Sequence, residues 1–309
     1  LNDIQMVIMQ NTTKRSKLSF CIFCFCLLLV ALLTGCSGGL SQNARQSLSV
    51  FIPYNVNFTE LNFYVVRAKS AYDSPSDIKR TYPDVTRVIT LPSVDVRYFI
   101  ETDHKSQTQT ISVRGTADKP NFWEDFEIAL IKDPILGRVI HGGFQRDALS
   151  VWADAKPHLR QDYSIRLTGH SLGAAIALIL GAYADAEGFT VSRIINFGQP
   201  KVTSEELSPK LSPVTTRVIN NLDPVPMLPP PGFIPQYRHL GPEVILRPGK
   251  DYVYLHTHDA NRVSIDDFWR EFSHFSFKEH RISDYISNVE YKIKNGTQQV
   301  PYLGNGIQK

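Results

Sequence analysis

The pentapeptide Gly169-His170-Ser171-Leu172-Gly173 is the part of this sequence whose residue types and spacing most directly indicate chemistry. It lies between residues 163–168, which have strand character, and residues 172–186, an Ala- and Leu-rich stretch with helix character. A sharp strand-to-helix turn needs glycine two residues before and two residues after the serine, because larger side chains at those positions would collide. Such a turn places the hydroxyl at a helix N-terminus, where negative charge is favoured. Ser171 is therefore the candidate nucleophile.

A serine hydroxyl needs a base, which is usually a histidine oriented by a carboxylate. His170 is interpreted as structural, because a residue next to the nucleophile points the wrong way to act as its base. Proteins with this turn place the acid after the serine and the histidine last. The histidines that follow Ser171 in the sequence are His239, His256, His258, His274 and His280.

The candidate acid is Asp223, which follows a predicted strand over residues 216–220. A carboxylate just past a strand end lies on the ligand-binding edge of a parallel sheet. The next residue is Pro224, and six prolines between 224 and 235 predict an irregular loop. Asp223 could equally cap the turn before Pro224, and the local sequence does not separate these two interpretations.

Among the histidines, position favours His280 only slightly. It lies at the start of a predicted helix over residues 278–293, whose apolar face would anchor it in the core. His274 lies among three phenylalanines, where a packed histidine is expected. His256 and His258 flank one threonine, but no third ligand nearby supports a metal site there.

The elements that would position these residues alternate between strands and helices. Helices are predicted at residues 61–72, 144–159, 172–186 and 278–293, and strands at residues 96–101, 108–113, 163–168, 192–197 and 216–220. This alternation predicts the α/β class, with a mostly parallel central sheet covered by helices on both faces. Residues 50–309 are predicted to form a single domain.

Composition limits the functions to consider. The 309 residues carry a net charge of +3, which gives no indication of a nucleic-acid partner. All four cysteines lie within the first 36 residues, so the rest of the chain has neither a disulfide nor a thiol nucleophile. The remaining length is sufficient for a core that needs no covalent staple.

The first 35 residues are predicted to be a targeting segment. A basic stretch at residues 14–17 precedes 16 almost wholly apolar residues, 18–33, fewer than the ~20 that a spanning helix needs. The exit Leu33-Thr34-Gly35-Cys36 resembles the lipobox of bacterial lipoproteins, which implies lipidation of Cys36 and anchoring in a membrane, at the outer membrane or cell surface. Residues 36–49 would be a flexible tether. An ordinary signal peptide or an uncleaved anchor is the alternative.

Beyond the pentapeptide, the sequence resembles the class 3 lipases, the fungal-lipase-like branch of the α/β-hydrolase fold, over about residues 61–286. The resemblance rests on stretches in the family's order: 112–116 (SVRGT), 121–125 (NFWED), 139–144 (VIHGGF), 169–175 (GHSLGAA), 196–200 (NFGQP), 220–226 (NNLDPVP), and Glu279-His280 with Tyr285. It implies a catalytic triad of Ser171, Asp223 and His280. It also implies an oxyanion hole formed by the main-chain N–H of Leu172 and by Thr116, with no metal or organic cofactor.

The resemblance implies hydrolysis of a lipid or other carboxylic ester, most directly an acylglycerol. The segment after the oxyanion residue, 117–130, would be a lid, although its aromatic residues could instead belong to the core. A surface-displayed esterase for short-chain or aromatic esters is one alternative. A lipoprotein that binds lipid or a partner through a hydrolase fold without catalysis is another.

Overall fold

A twisted sheet with a parallel centre organises the chain in a computed structural model, which describes residues 51, 53–115, 129–232, 236–262 and 277–302. Several sequence predictions fall outside these residues. They are the targeting segment, Cys36, the tether over residues 36–49, Thr116, residues 117–128 of the expected lid, and His274.

Helices and strands are interspersed along the described residues. The helices are α1 (Phe58–Ser70), α2 (Pro75–Thr81), α3 (Gly142–Ala155), α4 (Leu172–Ala186) and α5 (Ile282–Asn295). The strands are β1 (Val85–Leu91), β2 (Val96–Asp103), β3 (Thr108–Val113), β4 (Leu130–Lys132), β5 (Val139–His141), β6 (Ser164–His170), β7 (Thr190–Phe197), β8 (Thr215–Asn220), β9 (Glu243–Leu246), β10 (Asp251–Leu255) and β11 (Gln298–Gln299).

Within the described residues, nine strands form the main sheet in the order β1-β2-β3-β6-β7-β8-β9-β10-β11. The five central strands from β3 to β9 run parallel, and β1, β2 and β10 join them antiparallel. Strand β8 is buried at every position, as expected for a parallel strand covered on both faces. The carboxyl ends of β6, β7 and β8 therefore lie at one edge of the sheet.

Helices cover both faces of this sheet. On one face α3 and α4 pack with Ile194 of β7, and on the other α1 and α5 pack with Ile195. Helix α4 is buried at almost every position, which agrees with its Ala- and Leu-rich sequence. The predicted α/β architecture is therefore observed. In the part of the chain that the structure describes, no helix has the length and apolar character needed to cross a membrane.

The observed elements differ from the predicted ones mainly at their ends. Helix α1 begins three residues earlier than predicted, because Asn57 caps it by accepting the N–H of Glu60. The last helix begins at Ile282 rather than 278, and a 3-10 turn, Phe277–His280, precedes it. Strands β1, β4, β9, β10 and β11 and the short helix α2 were not predicted. Strand β9 has only four residues and β11 only two, and such short strands are fixed by pairing with their neighbours more than by local pattern.

A buried ion pair joins two adjacent central strands. Arg217 of β8 and Glu243 of β9 face each other in register, with 2.7 Å between Nη2 and Oε2, and both are almost fully buried. Burial raises the pKa of Glu243 and lowers the pKa of Arg217, so the interior opposes both charges and each depends on the other. Removal of either side chain would therefore leave the charge of the other buried and uncompensated.

Replacing Glu243 with glutamine is therefore expected to lower the free energy of unfolding by about 3–5 kcal/mol, because Arg217 would remain buried without a compensating charge. The measurement is urea denaturation of the two proteins. The exposed Glu290→Gln serves as control and is expected to change stability by less than about 0.5 kcal/mol. A double variant, Arg217→Met with Glu243→Met, should recover most of the loss. A Glu243→Gln protein as stable as the control would contradict this prediction.

Candidate active site

Ser171 lies on a strained turn between β6 and α4. Its φ of 58° and ψ of −129° are unfavourable for any side chain, and such strain is typical of functional positions. A Cβ atom on Gly169 would lie 2.3 Å from the main chain of Gly173, and one on Gly173 would lie 2.3 Å from the Val113 oxygen. Both glycines are thus required by close approach, as the sequence predicted. The turn is also packed directly against the end of β3.

The surroundings of Ser171 leave its hydroxyl available for chemistry. Its main-chain N–H donates to the Phe197 oxygen at 3.0 Å, which fixes the turn to the end of β7. Its side chain caps none of the N–H groups of α4, although it occupies the N-cap position. Leu172 is the first residue of that helix, so its N–H belongs to the positive end of the helix dipole. An oxyanion formed at Ser171 would be stabilised there.

Asp223 follows β8 and is fully buried. Its Oδ1 accepts the N–H of Val225 at 2.9 Å. Its Oδ2 accepts from His280 Nδ1 at 2.7 Å and from the Tyr285 hydroxyl at 2.5 Å. Three donors converge on one carboxylate, which is a more specific arrangement than the turn cap that the sequence left open. Asp223 therefore orients the imidazole of His280.

His280 ends the 3-10 turn before α5, and its position is fixed by neighbouring strands. The Asn220 amide at the end of β8 donates to the main-chain oxygen and to the carboxylate of the preceding residue, Glu279, each at 3.0 Å. The imidazole lies against Gly198, where an added Cβ would be 2.8 Å from Cε1 of the ring. Gly198 has a φ of 57° and directly follows Phe197, whose oxygen holds the Ser171 turn. The structure thus gathers Ser171, Asp223 and His280 at one sheet edge.

Of the other candidate histidines after Ser171, the structure describes His239, His256 and His258. His239 is buried, and its Nε2 donates to the Pro226 oxygen at 2.7 Å in the loop after Asp223. His256 and His258 are exposed. Among the described residues, no three His, Cys, Asp or Glu side chains lie close enough together to form a metal site.

Tyr285 contacts the candidate site through a hydrogen bond that the sequence did not reveal. Burial, and then the charge of Asp223, raise its pKa well above the usual value, so the hydroxyl keeps its proton and acts only as a donor toward Asp223. Tyr285 lies in the first turn of α5, five residues after His280, and both side chains reach the same carboxylate oxygen. The sequence marked Tyr285 only as part of the family motif.

Replacing Tyr285 with phenylalanine is expected to lower kcat for ester hydrolysis about tenfold, because Asp223 would lose one of three donors and orient His280 less firmly. The comparison is with Tyr291→Phe, which removes a hydroxyl from the exposed side of the same helix. Steady-state kinetics on a soluble ester would measure both. Equal kcat values for the two variants would show that Tyr285 contributes nothing to orienting the site.

Comparison with known proteins agrees with this geometry. The family model described as "Lipase (class 3)" matches residues 110–233. The chain is 30% identical over 171 residues to the secreted mono- and diacylglycerol lipase 1 of Fusarium solani, covering 50% of this chain and 49% of that protein. It is 28% identical over 166 residues to a lipase of Rhizomucor miehei, covering 48% and 44%. The chain spans about half the length of these curated relatives.

Solved structures of other proteins have a fold similar to that of this chain. Lipase II from Rhizopus niveus has a TM-score of 0.53 at 23% identity, covering 62% of this chain and 81% of its own. A lipase from Rhizopus microsporus var. chinensis has a TM-score of 0.52 at 24% identity, covering 61% and 74%. The predicted α/β-hydrolase fold is therefore confirmed. The resemblance to class 3 lipases is supported for the central part of the chain.

Proposed function

We propose that this protein is a serine carboxylic-ester hydrolase that acts on acylglycerols or other lipid esters through Ser171, Asp223 and His280. The observation that carries the proposal is the bond between His280 Nδ1 and Asp223 Oδ2, at the same sheet edge as the strained Ser171 turn. A nucleophile, a base and an orienting acid in one place form the arrangement of acyl-transfer hydrolases. The similarity of residues 110–233 to class 3 lipases supports the same reaction.

In this mechanism His280 removes the proton of Ser171 as the serine oxygen attacks the ester carbonyl. Asp223 holds the proton on Nδ1, which leaves Nε2 as the acceptor, and it stabilises the imidazolium that forms. The Leu172 N–H stabilises the developing oxyanion, together with a donor from Thr116. His280 then gives its proton to the leaving alcohol, and water releases the acyl group by the same steps in reverse.

The proposal also specifies that the ester substrate is a lipid. It is supported by the relative from Fusarium solani, which is a mono- and diacylglycerol lipase, and by the lipobox-like sequence that ends at Cys36. A hydrolase held at a membrane would meet lipid esters at high local concentration. Hydrolysis of short-chain or aromatic esters by the same site is the alternative that an experiment must separate.

The test is to assay the full chain on 4-nitrophenyl esters from acetyl to palmitoyl and on emulsified acylglycerols, with Ser171→Ala alongside. Hydrolysis that increases with chain length, extends to emulsions and is lost in the variant would support a lipase. Hydrolysis confined to short chains would retain the mechanism and assign small esters as substrates. Absence of hydrolysis, together with absence of labelling by a fluorophosphonate, would overturn the proposal in favour of a binding protein.

We also propose that Cys36 is lipidated and anchors the exported protein in a membrane. The support is the sequence alone: a basic stretch, a short apolar run and the Leu33-Thr34-Gly35-Cys36 exit. Expression in bacteria fed labelled palmitate should label the wild type but not Cys36→Ala, and only the wild type should sediment with membranes. Equal labelling of both would contradict lipidation at this residue.

A further inference from the structure

His170 stands between Tyr72 and the base in a hydrogen-bonded chain that the mechanism above does not use. Its Nε2 lies 2.8 Å from the main-chain oxygen of His280, and its Nδ1 lies 3.0 Å from the Tyr72 hydroxyl. A carbonyl oxygen can only accept, so Nε2 carries the hydrogen. In the neutral imidazole Nδ1 then has only a lone pair, so the Tyr72 hydroxyl donates to it. Every bond in the chain therefore has one possible direction.

Tyr72 continues this chain to a third segment of the site. Its hydroxyl packs against Gly115, where an added Cβ would lie only 2.4 Å from the Tyr72 oxygen. Gly115 follows β3 and directly precedes Thr116, the residue expected to contribute to the oxyanion hole. The Tyr72 side chain thus packs against the end of β3 and bonds to the nucleophile turn, and His170 bonds that turn to His280.

The charge state of His170 suits this position. Burial and the nearby His280 hold the pKa of His170 well below its usual value, so its imidazole stays neutral. The rings of His170 and His280 lie 4.5 Å apart, centroid to centroid. A neutral ring at that distance does not repel the imidazolium that forms when His280 takes the serine proton. A charged side chain there would oppose the proton transfer.

We propose that His170 and Tyr72 are positioning residues for ester hydrolysis, which fix the main chain of His280 relative to the Ser171 turn and to the end of β3. This inference rests on the proposed function of Ser171, Asp223 and His280. Neither side chain touches the reacting atoms in this role. Their effect is on the geometry in which His280 accepts the proton, so it should appear in kcat rather than in KM.

The chain offers a matched control. Tyr163 and His104 form a second tyrosine–histidine pair, in which the Tyr163 hydroxyl lies 2.9 Å from His104 Nδ1. Tyr163 immediately precedes β6, at the end of the strand opposite to Ser171. Tyr163→Phe therefore removes the same hydroxyl from the same kind of bond, but away from the site.

Tyr72→Phe is expected to lower kcat on a soluble 4-nitrophenyl ester about tenfold and to leave KM within about twofold of the wild type, because His170 Nδ1 loses its hydrogen-bond partner. Tyr163→Phe should leave both constants within about twofold. Thermal unfolding of the two variants measures any common loss of stability. If kcat falls equally in the two variants, the fall reflects a common loss of stability, and the proposal is overturned.

Two substitutions of His170 provide the second measurement. His170→Leu removes both bonds and should lower kcat about a hundredfold, whereas His170→Gln can still donate to the His280 oxygen and accept from Tyr72 and should retain most of the activity. Adding Tyr72→Phe to His170→Leu should lower kcat little further, because both act through one chain. If His170→Leu does not fold, the Gln and Tyr72→Phe variants still provide the test.

Failure of this proposal is distinguishable from failure of the proposed function. If the wild type hydrolyses esters in a Ser171-dependent way and Tyr72→Phe matches Tyr163→Phe, the positioning role is overturned while the hydrolase assignment stands. If the wild type shows no Ser171-dependent hydrolysis, both are overturned. A selective fall in kcat for Tyr72→Phe, with rescue by His170→Gln, supports the positioning role.

Discussion

Replacing Ser171 with alanine is expected to lower kcat for ester hydrolysis by about 10⁵–10⁶-fold, the loss typical when the nucleophile of a serine hydrolase is removed. The protein should keep its fold, because the Ser171 side chain caps no helix N–H group and alanine has the same Cβ. The measurement is steady-state hydrolysis of a soluble ester, with circular dichroism to compare the folds. The exposed Ser287→Ala on α5 is the control and should retain full activity.

The strained main-chain conformation at Ser171 leads to a second expected result at the same position. Because its φ of 58° is unfavourable for a residue with a Cβ, Ser171→Gly should raise the free energy of unfolding by about 1 kcal/mol while abolishing activity. Activity and stability would then change in opposite directions at one position, as expected where strain serves function. An alanine variant with near wild-type kcat would exclude Ser171 as the nucleophile.

Replacing Asp223 with asparagine is expected to lower kcat about 10⁴-fold with little change in KM. The carboxylate accepts from Val225, His280 and Tyr285, whereas an amide has one accepting and one donating end. If the NH₂ faces His280, the imidazole must carry its hydrogen on Nε2 and cannot take the serine proton. If it faces Val225, two buried donors oppose each other and the loop is destabilised.

The control for this variant is Asp162→Asn, an exposed aspartate at the amino-terminal end of β6. Fluorophosphonate labelling of Ser171 provides a direct readout, since its rate should fall in parallel with kcat when the base has the wrong tautomer. Labelling at the wild-type rate in Asp223→Asn would show that Asp223 does not orient the base. Asp223 would then serve only to cap its own loop.

Much of the site could be predicted because its parts are local in sequence. The Ser171 turn needs glycines at fixed offsets, and it needs a strand before it and a helix after it, all within about 25 residues. Asp223 stands just past a strand of β-branched residues, which is sufficient to place it at the edge of a parallel sheet. The choice of His280 among five histidines was only slightly favoured by local sequence and depended on the family motif.

What the sequence could not reveal are contacts between segments that are distant along the chain. Tyr72 and His170 are 98 residues apart, and His170 and His280 are 110 apart. Tyr285 reaches Asp223 only because α5 packs beside β8. Likewise, the Arg217–Glu243 pair exists only once β8 and β9 are in register.

The sequence by itself predicted the candidate nucleophile and the strand-turn-helix unit that presents it, because residue types and steric limits within a few neighbouring residues are sufficient to specify such a turn. The tertiary structure decided which histidine bonds to Asp223, and that the side chain of His170 bonds to the main chain of that histidine. These outcomes depend on the order of strands in the sheet and on the burial of both faces. Both are properties of the whole packed chain and of no single segment.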